Sequence, residues 1–242
     1  MNPNPAKLCA WGPDIWICDG PPVRAMGVPL PTRMVVVKLG DGSLWVNSPV
    51  TVSAEEITQL SEIGPVKYLV APTPLHVWRL QSWAELFPSA QLWGPPGRRR
   101  RPAQFTHRLG SAPPAQWAAD LDQVIFRGNL FLEEVEFFHF KSRTLILADF
   151  IQNYPPDRNR PLTRWVQRLA GVSGVGVPVD IRLSFVNRER ARSSLAKMLS
   201  WDIQRLIVAH GEPVESDAKA QVRRAFAFLM REPVPAQSNG ML

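Results

Sequence analysis

Short runs of consecutive apolar residues dominate the first half of the chain, and turn-forming residues separate them. These runs predict strands, because a strand that is covered on both faces is apolar throughout instead of alternating. The Asp41-Gly42 pair lies between two such runs and is typical of a β-hairpin. The strands predicted for this half are 14–21, two strands within 33–49, 66–72 and 90–96.

Segments with helical spacing of apolar residues lie between and after these strands. Ser53 is followed three residues later by Glu56, which predicts a capping box at the start of a helix that ends at Gly64. A second helix is predicted from His76 to Pro88, since proline stops a helix. The helices predicted further along are 161–171, 188–202 and 216–230.

The second half begins with an irregular segment and then becomes rich in strands. Residues 97–121 combine glycine, proline and a run of four arginines with little periodicity, which predicts a long surface loop. The strands that follow are 122–128, 133–140, 143–150 and the run ending at Ala209, and a tight Lys141-Ser142 turn separates the second from the third. Glutamates 133, 134 and 136 lie in an alternating pattern that favours solvent-facing side chains, with an extra carboxylate ligand as the alternative.

The order of elements indicates the fold class. Two strand-rich halves, each with helices, predict two sheets packed face to face with helices outside, an α+β fold of the αββα four-layer sandwich type. A doubly wound parallel sheet is the alternative, although it would alternate strand and helix more strictly. Residues 11–230 are predicted to form a single domain, after a Pro-rich extension at 1–10 and before a flexible tail at 231–242.

Composition limits the classes of function. The two cysteines, Cys9 and Cys18, are too few for a disulfide framework and lack metal-type spacing. No run approaches the roughly 18–20 apolar residues of a membrane span, and the N-terminus lacks a secretory pattern, so we expect a cytoplasmic protein with no membrane partner. The net charge of +7 and the run Arg98–Arg101 raise nucleic acid as a partner, beside a solvated basic loop.

Four residues that suit metal binding or acid/base chemistry follow or end predicted strands: His76, His139, Asp149 and His210. Strand ends at one edge of a sheet converge on a shared cleft. Histidine and carboxylate are common zinc ligands, and histidine titrates near neutral pH. The set predicts a single-metal or acid/base site, or else residues that only cap strands through hydrogen bonds.

Several segments in this order resemble the metallo-β-lactamase fold. They are "DIWICDGP", "MVVVKLGDGSLWVNSPV", "KYLVAPTPLHVWRLQSWAELFPSAQLWGPPG", "VEFFHFKSRTLILADFIQN" and "LIVAHGEPV". The chain is more closely similar to the bacterial branch described as domain of unknown function 4336, over about residues 10–230. The pieces that carry this similarity are "PTRM" (31–34), "DGSLWV" (41–46), "SRTLILADFIQN" (142–153) and "AHG" (209–211).

The resemblance implies two metal ions, usually zinc, bound by a His-x-His-x-Asp-His motif and then by a further His, Asp and His. Only His76 in "TPLHVWRL" (73–80) fits the first motif, which is therefore degenerate. The resemblance implies His139 near the third motif, Asp149 as the bridging carboxylate and His210 as the final ligand. Zinc with an open position takes about three protein ligands, so the set can hold one divalent metal, zinc first, and not two.

These observations leave three hypotheses of function. The first is a non-catalytic protein with a binding role toward a small molecule or a protein. The second is a hydrolase in which His210 and Asp149 act on an ester, thioester or phosphoester, with one metal or by acid/base chemistry. The third is nucleic-acid binding through Arg98–Arg101.

Two geometric predictions follow from the candidate site. The resemblance implies that Asp149 and His210 lie within roughly 6 Å of each other, close enough to share one metal or water. The helix that begins at His76 is expected to close over the site with Trp78 or Val77, because no further ligand keeps that face polar.

Overall fold

The structure is a computed structural model that describes residues 7–25, 28–95, 105–155, 165 and 167–230. The arginine run at 98–101 and the tail at 231–242 lie outside the described residues, as do residues 161–164 and 166 of the helix predicted at 161–171. Nucleic-acid binding through Arg98–Arg101 therefore stays a prediction.

The first sheet is mixed, and its described strands follow one another in chain order. They are β1 (Leu8–Gly12), β2 (Ile15–Ala25), β3 (Val28–Lys38), β4 (Leu44–Asn47), β5 (Val66–Val70), β6 (Gln91–Gly94) and β7 (His107–Arg108). The strands β1 to β4 are antiparallel, whereas β4 to β7 are parallel. The predicted turn between β3 and β4 is confirmed, with Gly42 at φ 82°. Leu8 to Ala10 pair with β2, although the sequence assigned them to an extension.

The second sheet has the order β13-β10-β9-β8, and a two-stranded ribbon of β11 and β12 lies beyond it. Its strands are β8 (Leu121–Phe126), β9 (Glu134–His139), β10 (Thr144–Leu147) and β13 (Arg205–Val208), and the ribbon is β11 (Gln152–Tyr154) with β12 (Gly174–Gly176). The strands β10 and β13 run parallel, with Leu147 opposite Val208. The segments that follow these two strands therefore leave the sheet at the same edge.

The described helices are α1 (Ala54–Ile63), α2 (Leu80–Leu86), α3 (Val179–Leu183), α4 (Arg188–Ser200), α5 (Ala218–Ala225) and α6 (Ala227–Met230). The capping box at the start of α1 is confirmed. The prediction that a helix begins at His76 is wrong, since α2 begins at Leu80 and a turn precedes it. In that turn the His76 N–H donates to the carbonyl of Thr73. No described helix has the length and apolar character needed to cross a bilayer.

Three apolar clusters show how the layers pack. Trp45, Phe137 and Ile207 belong to a buried cluster between the two sheets. A second cluster packs the first sheet against α1 and α2, and a third packs the second sheet against α4, α5 and α6. The predicted αββα sandwich is therefore confirmed, and the doubly wound alternative is wrong. The candidate site lies at the edge where β10 and β13 end.

Candidate metal centre

Three of the four predicted site residues converge on one carboxylate oxygen. Asp149 Oδ1 lies 3.3 Å from Nε2 of His210 and 3.4 Å from Nε2 of His76. One candidate ligand atom from each of the three residues lies within 4.8 Å of the others. The predicted proximity of Asp149 and His210 is therefore confirmed. Its cause is the parallel pairing of β10 with β13, which places the residues after both strands side by side.

His139 does not belong to this cluster, and its expected role as a fourth ligand is corrected by strand register. The strands β9 and β10 are antiparallel, so His139 lies opposite Thr144, at the start of β10. Asp149 follows the other end of β10. The Nδ1 atom of His139 instead lies 2.7 Å from the Ser142 hydroxyl, within the turn.

Hydrogen bonds orient both imidazoles of the cluster. His210 Nδ1 lies 2.7 Å from the carbonyl oxygen of Pro31. A carbonyl only accepts, so Nδ1 carries a proton and donates it to Pro31, which leaves Nε2 as the atom turned toward Asp149. His76 Nδ1 lies 2.7 Å from the Ser48 hydroxyl. A second hydrogen bond of this kind fixes ring orientation in metal-binding histidines.

The backbone around His210 is fixed by close contacts. The His210 carbonyl accepts from the N–H of Asn153, and the N–H of Glu212 donates to the Asn153 carbonyl. Between them Gly211 has φ +103°, and an added Cβ would lie 2.0 Å from the Asn153 carbonyl oxygen. Only glycine fits here, since other residues rarely adopt this φ and the space is occupied.

Arg33 connects the first sheet to this edge and was not identified from the sequence. Its guanidinium makes two hydrogen bonds to Asp19, at 2.7 and 3.1 Å. It also donates to the carbonyls of Val208 and Gly211. Arg33 therefore holds the segment that carries His210 against β3.

Asp149 is held by a hydroxyl and by a second carboxylate. Thr73 Oγ1 donates to Asp149 Oδ2 at 2.9 Å. The Glu134 carboxylate accepts from the consecutive backbone N–H groups of Ala148, Asp149 and Phe150, the last two at 2.7 and 3.1 Å. Glu134 thus fixes the turn that presents Asp149, because its carboxyl oxygens accept from three consecutive backbone donors.

The prediction that the glutamates of β9 face solvent is wrong for two of them. Glu134 and Glu136 are both fully buried, since helices cover the outer face of this sheet. Polar and apolar residues do alternate along β9, but both faces of this strand are buried: one against the first sheet and the other against helices. Only Glu133 is partly exposed, beside Arg127.

Asp149 and His76 are buried, and each shifts the pKa of the other. Burial alone would raise the pKa of Asp149, but the charge of His76 and hydrogen bonds from both histidines lower it well below its usual range. For His76, burial lowers the pKa, whereas the charge and hydrogen bond of Asp149 outweigh burial and raise it. The pair therefore favours ionised Asp149 and the protonated form of His76, and a metal ion would compete with that proton.

The carboxyl groups behind Asp149 titrate differently. Burial, followed by the charge of Asp149, raises the pKa of Glu134 to about 7 against the effect of its backbone donors. Burial and then the charge of Glu134 raise the pKa of Glu136 well above its ordinary value. Burial therefore favours the neutral form of Glu136.

A cavity of about 300 Å³ borders the three residues. Its walls come from the β2–β3 hairpin, from residues 48–51 and from residues 75–79. The expectation that Trp78 or Val77 closes over the site is wrong for Trp78, whose side chain lines the cavity and is 67% exposed. The site is therefore reachable from outside.

Two of the three separations between candidate ligand atoms match those around one metal ion. A tetrahedral site with bonds of ~2.1 Å has edges of about 3.4 Å, and the two distances from Asp149 Oδ1 to the histidine nitrogens match this value. Two imidazoles and a carboxylate suit zinc, and also iron or manganese. Within the described ranges these three residues are the one group found that could hold a metal.

The solved structures that resemble this fold include several metallo-β-lactamases. DIM-1 exposed to ceftazidime is 12% identical with a TM-score of 0.62, over 93% of this chain and 98% of that chain. The enzyme from Hirschia baltica is 12% identical with a TM-score of 0.61, over 96% and 100%. FIM-1 from Pseudomonas aeruginosa in the mono-zinc form is 11% identical with a TM-score of 0.61, over 94% and 98%. At these identities the likeness shows the fold alone.

No curated protein matches the sequence. The model of the family described as "Domain of unknown function (DUF4336)" matches residues 14–162, which include His76 and Asp149 but end before His210. Because this match covers more than half of the 242 residues, the chain belongs to that family and has the metallo-β-lactamase fold.

Proposed function

We propose that this chain is a hydrolase that binds one divalent metal through His76, Asp149 and His210 and acts on an ester, thioester or phosphoester. The observation that carries the proposal is the position of Asp149 Oδ1, at 3.3 and 3.4 Å from two histidine nitrogens that are both turned toward it. Bound zinc with an open position would supply a Lewis acid that lowers the pKa of water to about 7.

The remaining roles fall to residues of the chain itself. Ser48 and the Pro31 carbonyl orient the two imidazoles. Thr73 and Glu134 hold the carboxylate of Asp149 and its turn. The burial of the cluster, beside an accessible cavity, strengthens its electrostatic interaction with a substrate.

The open cavity favours this proposal over a non-catalytic protein. A site that had lost its function would not need two oriented imidazoles beside a reachable cavity, and the exposed Trp78 leaves that cavity open. The mono-zinc form of FIM-1, on the same fold, adds support for one ion. The dinuclear alternative has no support among the described residues, because the first motif keeps only His76.

The first test is metal content of the tag-free protein after loading with zinc, manganese or iron and dialysis. We expect close to one equivalent in the wild type and a loss of most of it in His210→Ala, with the His139→Ala variant as the matched control that keeps it. EDTA is expected to lower the wild-type Tm, because metal bound only to the folded state stabilises that state. A wild-type content below about 0.2 equivalent, with no effect of EDTA, would contradict the proposal.

The second test is activity. The metal-loaded protein is assayed with 4-nitrophenyl acetate, an acetyl thioester and bis(4-nitrophenyl) phosphate. We expect hydrolysis of at least one of them that chelator removes and that His210→Ala lacks. Equal rates in the wild type and in His210→Ala would show that the cluster does not carry the reaction.

A further inference from the structure

The cavity beside the metal centre is largely apolar. Pro21, Pro22 and Leu30 of the β2–β3 hairpin line it, and Leu75 and Trp78 line it from the segment before α2. Leu75 and Trp78 are 44% and 67% exposed, so large apolar side chains border the entrance. Such a surface suits an apolar group of a ligand, since exposed apolar residues that cluster at a cleft mark a binding site.

Two arginines line the same cavity, and only one has an uncommitted charge. Arg33 is 6% exposed and is bound to Asp19 and to two carbonyls. Arg79 is exposed, and within the described part of the chain its side chain has neither an ion pair nor a hydrogen bond. The guanidinium of Arg79 is therefore available to a ligand.

Negative charge in the lining is already neutralised. Asp149 is the carboxylate among the described lining residues, and it is engaged by His76, His210 and Thr73. The unmatched charge of the lining is thus the positive charge of Arg79. Guanidinium groups bind carboxylates through paired hydrogen bonds, which suits an anionic ligand.

We propose that the cavity binds compact carboxylates with an aliphatic or aromatic chain, and that Arg79 pairs with the carboxylate while the apolar wall takes the chain. The volume of about 300 Å³ lies at the lower end of small-molecule sites, which fits a chain of a few carbons. Arg79 and His76 line the same cavity, so a ligand bound there has both the charge and the candidate reaction centre beside it. As a statement about substrates, this rests on the proposed function: the substrate class is a monoester or thioester that carries a free carboxylate.

Binding of hexanoate and of 1-hexanol to the chelator-treated protein tests this proposal. The two probes share a chain length and differ in charge, and both are titrated by ligand-detected NMR. Because metal is absent from the sample, failure here would leave the metal tests of the hydrolase proposal untouched, and failure of those tests would leave this one valid.

We expect hexanoate to bind more tightly than 1-hexanol. In Arg79→Gln the Kd for hexanoate should rise about fivefold, while that for 1-hexanol stays unchanged. The matched control is Arg223→Gln, an exposed arginine on α5, which should change neither. Trp78→Ala should weaken both probes alike, because it removes part of the apolar wall.

Three results would overturn the proposal. They are the absence of saturable hexanoate binding up to about 20 mM, equal affinity for the two probes in the wild type, and equal hexanoate affinity in the wild type and Arg79→Gln. Circular dichroism of each variant shows whether the fold is kept. Because Arg79 is exposed at the rim, its substitution should leave the Tm unchanged.

Discussion

A buried histidine lies near each end of strand β10, and the two have opposite electrostatic properties. At the start of the strand, His139 is 1% exposed and bonds to the Ser142 hydroxyl, which donates in turn to Thr144. Beyond the other end, His210 is 5% exposed and lies beside Asp149, together with His76. Both regions are buried and hydrogen-bonded, but only the second has a carboxylate in contact with imidazole.

The carboxylate decides what burial does to an imidazole. Burial lowers the pKa of His139 to about 4, since Asp120 and Asp14 raise it only in part. Burial acts on His76 in the same direction, yet Asp149 reverses the result and the pKa is raised. A buried histidine without a carboxylate partner therefore stays neutral and has a structural role. A buried histidine in contact with a carboxylate can bind a proton or a metal ion.

The largest expected effect is that of Asp149→Asn. This change removes the charge that both histidines share and presents an amide, so zinc affinity should fall more than about 100-fold. Competition with a chromogenic zinc chelator measures it. The control is Asp122→Asn, which removes a carboxylate from Lys197 and Trp201 and should leave zinc affinity unchanged. A change below about threefold in Asp149→Asn would refute the assignment of Asp149 as a ligand.

The next effect is that of Glu134→Gln. The amide would offer one acceptor and one donor to a turn that presents three donors, so the turn of Asp149 should shift and zinc affinity should fall about 10–100-fold. Glu136→Gln is the matched control on the same strand face. Glutamine resembles its neutral acid, so zinc affinity should stay constant. If both variants lose affinity equally, burial of the strand and not the turn explains the effect.

A smaller effect on zinc affinity is expected from removing the serine hydroxyl that bonds to His76, and none from removing the one that bonds to His139. Ser48→Ala leaves His76 Nδ1 without its partner and should weaken zinc about tenfold. Ser142→Ala removes the equivalent bond from His139 and should lower the free energy of unfolding by about 1 kcal/mol without changing zinc affinity. An equal loss of zinc in both variants would show that the two ends of β10 do not differ as proposed.

The smallest effect on metal is expected for His139→Gln, with zinc affinity within about twofold of the wild type. Its effect should appear instead in the dependence of stability on pH. The folded pKa is about 4 and the unfolded value about 6.5, so the unfolded chain binds more protons between these values. The free energy of unfolding should therefore fall as the pH drops through this window, by about 3 kcal/mol, and stop falling on this account below pH 4.

Urea unfolding at several pH values between 7 and 4 measures that dependence in the wild type and in His139→Gln. The difference in free energy of unfolding between the wild type and His139→Gln gives the contribution of His139, because the carboxyl groups that titrate in the same pH range are present in both proteins. If the two proteins lose stability in parallel as the pH drops, His139 does not have the lowered pKa on which the comparison rests.

Local signals in the sequence, taken together with the resemblance to the metallo-β-lactamase fold, were sufficient to predict the fold. The capping box at Ser53, the turn at Gly42 and the buried apolar runs predicted elements whose layers then follow from element order. The proximity of Asp149 and His210 was predictable from the family resemblance and from their positions after apolar runs, and the structure adds that these two strands are parallel neighbours.

The error at His139 had a signal in the sequence that could have prevented it. A tight turn at Lys141-Ser142 makes β9 and β10 an antiparallel hairpin, so a residue at the end of β9 lies beside the start of β10. Glu134 is a different case. Its burial depends on helices more than fifty residues away in sequence and on N–H groups of a turn, and neither leaves a trace in the local pattern.

Gly211 should tolerate substitution as poorly as His210 does, although it has no side chain. A Cβ at this position would meet the Asn153 carbonyl, and the same backbone accepts a hydrogen bond from Arg33. In a saturation-mutagenesis map scored for function, position 211 should therefore be as depleted of substitutions as position 210. A search for distant homologues that requires only the histidine would miss this constraint. A more selective pattern requires His-Gly at 210–211 together with the segment Asp-Phe-Ile-x-Asn at 149–153, which follows an apolar strand.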